Sequence, residues 1–535
     1  MDRVDLLPLP DGDDAAPHDV APACAAVPVG DIAELADAYA AAPLLNCLLR
    51  EVGRPLGDPA DPADPGERPV HRLPGGDRLL RVRGTRRPAE PEVYAAGAWH
   101  RLGHTELVKL VAEELRGHTG LSNHELPAEM IDSRDAVAAL LTARDRAVPP
   151  DDLYLRSEQC LITGHPHHPA PKARGGGPVA GWLPYAPEAH AHFPLVLLGV
   201  REDTVVEEGD TSALDALFHG EVPPGYRVLP AHPWQLDLVG RDLAPAFADG
   251  RLIRLGTTAS DTWPTAAIRT LYAPDHDLFL KFSLDVRITN DIRRLWRHDL
   301  LKLRRTDAAA TRALAPGADA RTSVGAPAPA AWLSDRGYRT ADFAFEELAV
   351  LVRDGLRDHV GPGATPLLAA GLVEGFAGSP LDRTKDPAAW WAAYLRVVVP
   401  PALAAFADHG VVLEAHVQNT LVAVDADGTP VQALFRDAEG VKLLPEVSRE
   451  AGWERLVYCL LVNHLTEIAG TLAERHPGLD PWPAVRRELI RHDLPEIPAL
   501  LSSPTLPGKT NLLLRWTGAD GADARYLPLP NPLTR

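Results

Sequence analysis

Apolar residues recur with a helical period over 31–52, 104–116, 133–146, 343–356, 387–409 and 453–475, and helices are predicted there. The stretch 53–91 between the first two is rich in Pro, Gly and Asp and reads as loop. From 154 to 295 the pattern changes to short β-type runs broken by prolines, and 307–331, rich in Ala, Pro and Gly, reads as a loop or boundary. The last third mixes helices with one clear hairpin. This order predicts an α+β fold, divided into a mainly helical 1–153, a β-rich 154–340, and a 341–535 unit of helices plus a hairpin. No repeat at solenoid or propeller spacing is visible.

Composition narrows the function. The chain has 535 residues, 45% hydrophobic and 24% charged, which is ordinary for a globular enzyme with a large core. Its formal charge of -19 disfavours nonspecific binding to nucleic acid or an anionic membrane, so an anionic substrate needs a local cluster of cations. The N-terminus carries acids where a signal peptide has a basic start, and no uninterrupted apolar stretch is of bilayer-spanning length, so a cytoplasmic protein is expected. Cys24, Cys47, Cys160 and Cys459 are far apart and read as small buried hydrophobes. Only seven residues are lysine, which makes each lysine more informative.

Four segments carry candidate chemistry. In GHPHHPAPKARGGG, 164–177, three prolines exclude a regular helix and the glycines admit a close ligand. Lys172 and Arg174 project to one side of an extended chain and suit a polyphosphate. A solvated basic loop is the plainer alternative. A metal site at His165, His167 and His168 is another, without the acid or cysteine spacing of zinc ligands. In the second segment, the runs 264–272 and 278–283 flank turn chemistry and predict a hairpin. With Ala273 facing Asp277, Arg269 falls opposite Lys281; two such cations repel unless an anion lies between them, which favours a phosphate. A register one residue different would leave both cations reaching water.

The third segment is RITNDIRRLW, 287–296, where Thr289 or Asn290 can cap a helix whose free N–H groups attract an anion. Arg293, one turn on, would share that face and help hold a carboxylate; an ordinary cap with an exposed arginine is the alternative. The fourth is LEAHVQNTL, 413–421, with the turn 425–428 and the return into Arg436 and Asp437. On a strand, Glu414, His416 and Gln418 share one face, and pairing Asp425 with Gly428 sets His416 opposite Asp437. Such a polar stripe is costly to bury unpartnered. Magnesium carrying ATP phosphates would satisfy the acids, with His416 on phosphate or substrate. An exposed hairpin face is the alternative, but apolar flanks on both sides favour a strand pinned in a core.

Gly508-Lys509-Thr510 looks like part of a Walker loop, yet position 503 is Ser and prolines at 504 and 507 spoil the strand-loop-helix context. It is read as a turn entering a strand over 511–516. GxSxG and HExxH are absent.

Taken together, GHPHHPAPKARGG, LPAHPWQ (229–235), PTAAIRT, KFSLDVRITNDIR, LEAHVQNTLV with Arg436-Asp437, and the terminal NPL (531–533) run in the order found in the nonribosomal-peptide-independent siderophore synthetases, the IucA/IucC family, which this sequence resembles from about residue 158 onward. The resemblance implies a cupped-hand α+β fold of thumb, fingers and palm, a homodimer, and ATP with magnesium in a deep cleft. It implies that a carboxylate attacks the α-phosphate to give an acyl-adenylate and pyrophosphate, and that an amine, hydroxylamine or alcohol then displaces AMP. By motif, Arg269, Thr270 and Lys281 would contact phosphates, with His168, Lys172 and Arg174 closing over them. Thr289, Arg293, His416 and Gln418 would line the carboxylate junction, and Glu414, Asn419 and Asp437 would serve magnesium or ribose. One departure is Ala267, where the PTxSxRT pattern has serine. A small-molecule kinase is a competing reading, weakened by the lack of an HxD-type loop beside Asn419. A nucleotide- or carboxylate-binding regulator without turnover is another, hinted at by Ala267.

Overall fold

The computed structural model describes residues 29–56, 68–315, 328–519 and 526–534. Helices and mainly antiparallel sheets share the chain, as the α+β expectation requires. The predicted helices are found at Val29–Glu51, His104–Thr119, Glu125–Arg144, Pro387–His409 and Arg449–Arg475. The last includes a wider π-helical stretch, Val457–Leu465. Cys47, Cys160 and Cys459 are free and buried, while Cys24 lies outside the described residues.

Several expectations are corrected. Much of 53–91 is strand: Arg54–Leu56, Val70–Leu73, Arg78–Arg83 and Ala89–Ala95 join Ala98–Arg101 in a five-stranded antiparallel meander. Its polar face is arginine-rich and obscures the period of two; Arg68 and Arg81 both reach Glu92 across the ladder. Residues 343–356 hold no long helix. Val350–Asp354 is a strand between Leu278–Phe282 and Asp335–Ala341, apolar in succession because both faces are covered. Asp307 lies in the helix Arg297–Ala313, not in a loop, and accepts hydrogen bonds from Trp332, Ser334 and Asp335; 316–327 fall outside the described residues. The segment after Thr510 is the helix Asn511–Thr517, not a strand. Its first N–H groups, Asn511, Leu512 and Leu513, donate to the Glu51 carboxylate at 2.8–2.9 Å, a cap supplied from the other end of the chain.

Three helices, Asp31–Glu51, Pro387–His409 and Arg449–Arg475, are long and apolar enough to cross a membrane, although charged residues interrupt each of them. Their most apolar windows are 50%, 67% and 83% buried within the fold, and Trp391, Tyr394, Val398, Leu461 and Leu465 belong to one large core. A second core lies between the sheet of Tyr226–Ala231, Val196–Arg201 and Leu252–Thr257 and the six-stranded sheet carrying Leu278–Phe282. Leu512 and Trp516 pack with Leu44, Leu48 and Leu115, so the two ends of the chain share a core.

The LPAHPWQ motif serves this framework. The His232 side chain accepts from Trp234 N at 3.2 Å and caps the helix Pro233–Ala248, with Pro233 in its first turn. Gln235 then accepts from Asp285 N at 2.8 Å, and Asp285 grips Arg294 through two oxygens at 3.0 and 2.8 Å. Helix, strand and the 285–294 turn are thereby locked together.

Candidate active site

Lys281 sits at the centre of a buried charge cluster. Every residue of the strand Leu278–Phe282 is buried, and Lys281 is 3% exposed. Its Nζ donates to Asp437 Oδ1 at 2.8 Å and Glu439 Oε2 at 2.7 Å. Arg353, on the neighbouring strand and the same face, brings Nη2 within 3.4 Å of Asp437 Oδ1 and holds Asp335 at 2.6 Å. Arg269 Nη2 lies 3.4 Å from Glu439, while its Nη1 donates to the carbonyls of Arg293 and Arg294 at 3.0 Å each. Arg293 is within electrostatic reach of Arg269, Asp291, Glu439 and Asp437. Burial alone would raise the Asp437 carboxyl, but Lys281 and then Arg353 hold it well below the usual carboxylate range. Glu439 is lowered in the same way by Lys281 and Arg269.

The hairpin register differs by one residue from the expectation. Thr270, not Arg269, faces Lys281, because Ala273 pairs with Leu278. Arg269 stands just off the ladder, after a tight turn in which Ile268 has φ 58°. Thr289 (φ 60°) and Asp437 (φ 83°) are also left-handed. Such a conformation is costly for non-glycine residues, most of all a β-branched one, and all three border this cluster.

No helix begins at Thr289. The strands Arg287–Ile288 and Asp291–Ile292 pair around Thr289 and Asn290, and the next helix starts at Arg297. The β-branched Ile288 and Ile292 and the Asp285–Arg294 clamp favour this turn over a cap. Thr289 and Arg293 are nonetheless joined, Arg293 Nη2 donating to Thr289 Oγ1 at 2.5 Å. His168 meets the same turn: its Nδ1 accepts from Ala170 N at 3.1 Å, leaving Nε2–H to face Asn290 Oδ1 at 3.2 Å.

Residues 414–419 are not a strand. Thr420 pairs with Phe435 and Arg436 N donates to Asn419 O, so the ladder ends before His416 and the alternating face of Glu414, His416 and Gln418 is replaced by turns. His416 Nδ1 accepts from Gln418 N at 3.2 Å, and burial lowers its pKa below 6.5, so near neutral pH a neutral ring keeps its proton on Nε2, 3.9 Å from Glu414. The π-helical stretch anchors this loop. His464 Nδ1 faces Ala415 O at 2.8 Å, its Nε2 meets Tyr394 Oη, and Val417 N donates to Asn463 O at 3.3 Å.

Asn419 Nδ2 donates to Glu414 Oε2 at 3.3 Å, and Arg455 holds Glu414 Oε1 at 2.8 Å. Glu414 and Asn419 are thus together, whereas Asp437 lies on Lys281. No group of three or more His, Cys, Asp or Glu residues is arranged for a metal among the described residues, the histidines at 165–168 included. Lys172 and Arg174 do share a side, but that side faces Glu188: Lys172 Nζ pairs with Glu188 Oε1, and Arg174 Nη2 reaches the same oxygen at 3.0 Å. Both are buried in this ion cluster and neither touches Lys281 or its acids.

Burial pushes the Glu188 carboxyl up, yet Lys172 and Arg174 pull it down to about 2, below the ordinary 4.5. Its folded pKa is the lower one, so its contribution to stability is present above pH 4.5 and lost as pH falls toward 2. In acid unfolding the wild type should lose stability through this window, while Glu188→Gln, less stable at pH 7, should show a flatter profile. Parallel profiles would count against the assignment.

The sequence reading missed Glu439, Arg353, Arg455 and Lys509. Lys509, on the strand Thr505–Lys509, lies within electrostatic reach of Arg455 and Glu414. Its lysine identity was the available signal, since the chain has so few.

The IucA / IucC family model matches residues 153–374, and a model described as Ferric iron reductase FhuF-like transporter matches 388–524. The rhizobactin siderophore biosynthesis protein RhbC of Rhizobium meliloti (strain 1021) is 30% identical over 477 residues, covering 75% of this chain and 80% of RhbC. The chain belongs to the IucA/IucC family. The L-2,3-diaminopropanoate--citrate ligase of Staphylococcus aureus (strain NCTC 8325 / PS 47) is 28% identical over 449 residues, with 72% of this chain and 75% of the ligase covered. The ATP-bound aerobactin synthetase IucA from a hypervirulent pathotype of Klebsiella pneumoniae superposes with a TM-score of 0.74 at 21% identity, over 92% of this chain and 99% of that one. This IucA/IucC member therefore has the fold of those synthetases.

Proposed function

We propose that this protein is an ATP-dependent ligase of siderophore biosynthesis that activates a carboxylate of citrate and condenses it with an amine. The observation that carries the proposal is the buried cluster itself. Lys281, Arg269, Arg293 and Arg353 converge on Asp335, Asp437 and Glu439, a concentration of fixed cations in a chain of net charge -19. Such a place suits a polyphosphate beside an organic acid. Its relatives include several proteins named as citrate ligases.

In the first step a citrate carboxylate oxygen attacks the α-phosphorus of ATP; the bond from phosphorus to the bridging oxygen breaks and pyrophosphate leaves. In the second, the amine nitrogen attacks the acyl carbon, the acyl–oxygen bond breaks, AMP leaves and the nitrogen loses a proton. Arg269, Thr270 and Lys281 hold phosphate oxygens and neutralise charge developing in the transition state. Arg293, steadied by Thr289, holds the carboxylate, with His416 Nε2–H as a donor, Gln418 beside it, and Arg455 and Lys509 as further cations. His168 supports the Thr289–Asn290 turn, and Lys172 and Arg174 brace the 164–177 loop through Glu188. Magnesium, when bound, would neutralise phosphate charge. It needs only one or two carboxylates beside phosphate and water, and the ionised Asp437 and Glu439 fit that demand, with Glu414 and Asn419 within the same loop system. A cytoplasmic homodimer completes the reading; light scattering in solution tests the dimer.

Citrate-dependent exchange of labelled pyrophosphate into ATP is the direct test. Exchange is expected with citrate and not without it, and AMP should accompany product once an amine is added. ADP formation, or ATP binding without exchange across citrate, succinyl-amines and 2-oxoglutarate, would overturn the proposal. Ala267 lies in the turn between Thr265 and Arg269, whose N–H groups are taken by the chain itself. Ala267→Ser restores one hydroxyl donor, a gain of about 0.5–1.5 kcal/mol, so the KM for ATP should fall about two- to tenfold with kcat little changed. A rise in KM would remove the hydroxyl from the phosphate.

A further inference from the structure

A cleft of about 320 Å³ opens between the C-terminal end of the helix Val29–Glu51, the 164–168 segment, the helix Arg449–Arg475 and the strands Thr505–Lys509 and Tyr526–Pro530. Its walls are chiefly apolar, Val462, Trp482, Leu506 and Leu529 among them. Arg50 and His167 are the exceptions that matter. The Arg50 guanidinium lies against Gly508 so closely that a Cβ there would come within 2.5 Å of Nη2 and 2.6 Å of Leu529. Arg50 Nε and Nη2 are buried and have no hydrogen-bond partner. Two unmet guanidinium donors in an apolar cleft are expensive, and their planar fork matches a carboxylate.

His167 supplies the complementary group. Its Nε2 lies 3.4 Å from Glu467 Oε1, which places the ring proton there, and Nδ1 is buried without a partner. Burial keeps the ring below its ordinary pKa of 6.5, so Nδ1 presents a lone pair to an N–H donor. A polyphosphate or tricarboxylate would leave further anionic oxygens against Val462 and Leu506 with no cation to meet them. An aliphatic body with one carboxylate and one amine meets each feature. The cleft lies beside the His416 loop, because Val462 in its wall is followed by Asn463, whose carbonyl accepts from Val417 N at 3.3 Å.

We propose that this cleft binds the nucleophile, and that the nucleophile is an amino acid whose carboxylate is held by Arg50 and whose nitrogen approaches along His167 toward His416. The proposal rests on the citrate-activation reading for its role in turnover, but its binding claim is tested separately. Calorimetry on the full-length protein compares L-2,3-diaminopropanoate, L-ornithine and L-lysine with their decarboxylated counterparts ethylenediamine, putrescine and cadaverine. At least one amino acid should bind the wild type about tenfold or more tighter than its counterpart, a difference that should vanish in Arg50→Gln. Pro530→Glu sets a negative charge at the exposed lip of the cleft, where the fold tolerates it, and should also abolish the preference. No binding by any amino acid, equal binding within every pair, or a preference that survives both substitutions would overturn the proposal. Citrate-dependent exchange in the wild type, run in parallel without amine, reports the activation reading by itself, so failure of one is distinguishable from failure of the other.

Discussion

Lys281→Met should lower kcat/KM for citrate-dependent exchange by about a hundred- to a thousandfold, the scale expected for losing one preorganised charge at a reacting phosphate. The effect is double. Removing Nζ takes away the cation nearest the acids, and it leaves Asp437 Oδ1 and Glu439 Oε2 facing each other with Arg353 and Arg269, each at 3.4 Å, as the nearest cations. The two acids would then repel an incoming phosphate. Thermal stability should respond with a definite sign. In the wild type both carboxyls are held below their ordinary values, so their contribution is present at neutral pH and lost in acid. In Lys281→Met the pair resists joint ionisation, and stability should fall as pH rises from acid to neutral. Exchange within tenfold of wild type, with normal ATP saturation, would mean that Lys281 is a buried structural charge and not a phosphate ligand.

How much of this centre could be seen in advance follows from how local each signal is. Lys281 was legible as a cation on a hairpin with Arg269, and Asp437 as an acid at the end of a hairpin with His416, although neither cross-strand pairing has the expected register. Glu439 was not: it stands in a short turn, Ala438–Gly440, where no periodicity shows that it points back to Lys281 while Ala438 between them is buried. Arg353 was hidden in a run read as helix, because a strand covered on both faces has no alternation to display. Lys509 was set aside on a sound local test, since no Walker loop exists there. Its approach to Glu414 and Arg455 depends on how the strand Thr505–Lys509 packs against the π-helical stretch, a tertiary fact. The register of both hairpins was missed by one or two residues because a left-handed residue in the first turn, Asp277, and a bulge at Ala423–Val424 in the second alter the pairing count at residues that are not glycine.

The second large effect belongs to a pair that touches no substrate. Arg436, 5% exposed at its side chain, donates to Glu158, 0% exposed, at 2.6 Å. Glu158 also accepts from Tyr154 Oη at 2.9 Å and from Ala266 N at 3.0 Å, and Arg436 Nη2 donates to Gln418 O at 2.9 Å. One ion pair therefore fixes both the turn that presents Arg269 and the loop that presents His416. Arg436→Leu should destabilise the protein by about 3–5 kcal/mol, because it strands a buried carboxylate. A fall in the thermal midpoint measures this. The double variant Glu158→Leu/Arg436→Leu should recover most of that loss, since neither charge is left behind. Its exchange activity should nevertheless stay low, because Ala266 N and Gln418 O no longer have the partners that hold their loops. If the double variant regained activity along with stability, the pair would be part of the core alone, and the geometry of the phosphate turn and the His416 loop would have to come from the strained residues Ile268 and Asp437 themselves.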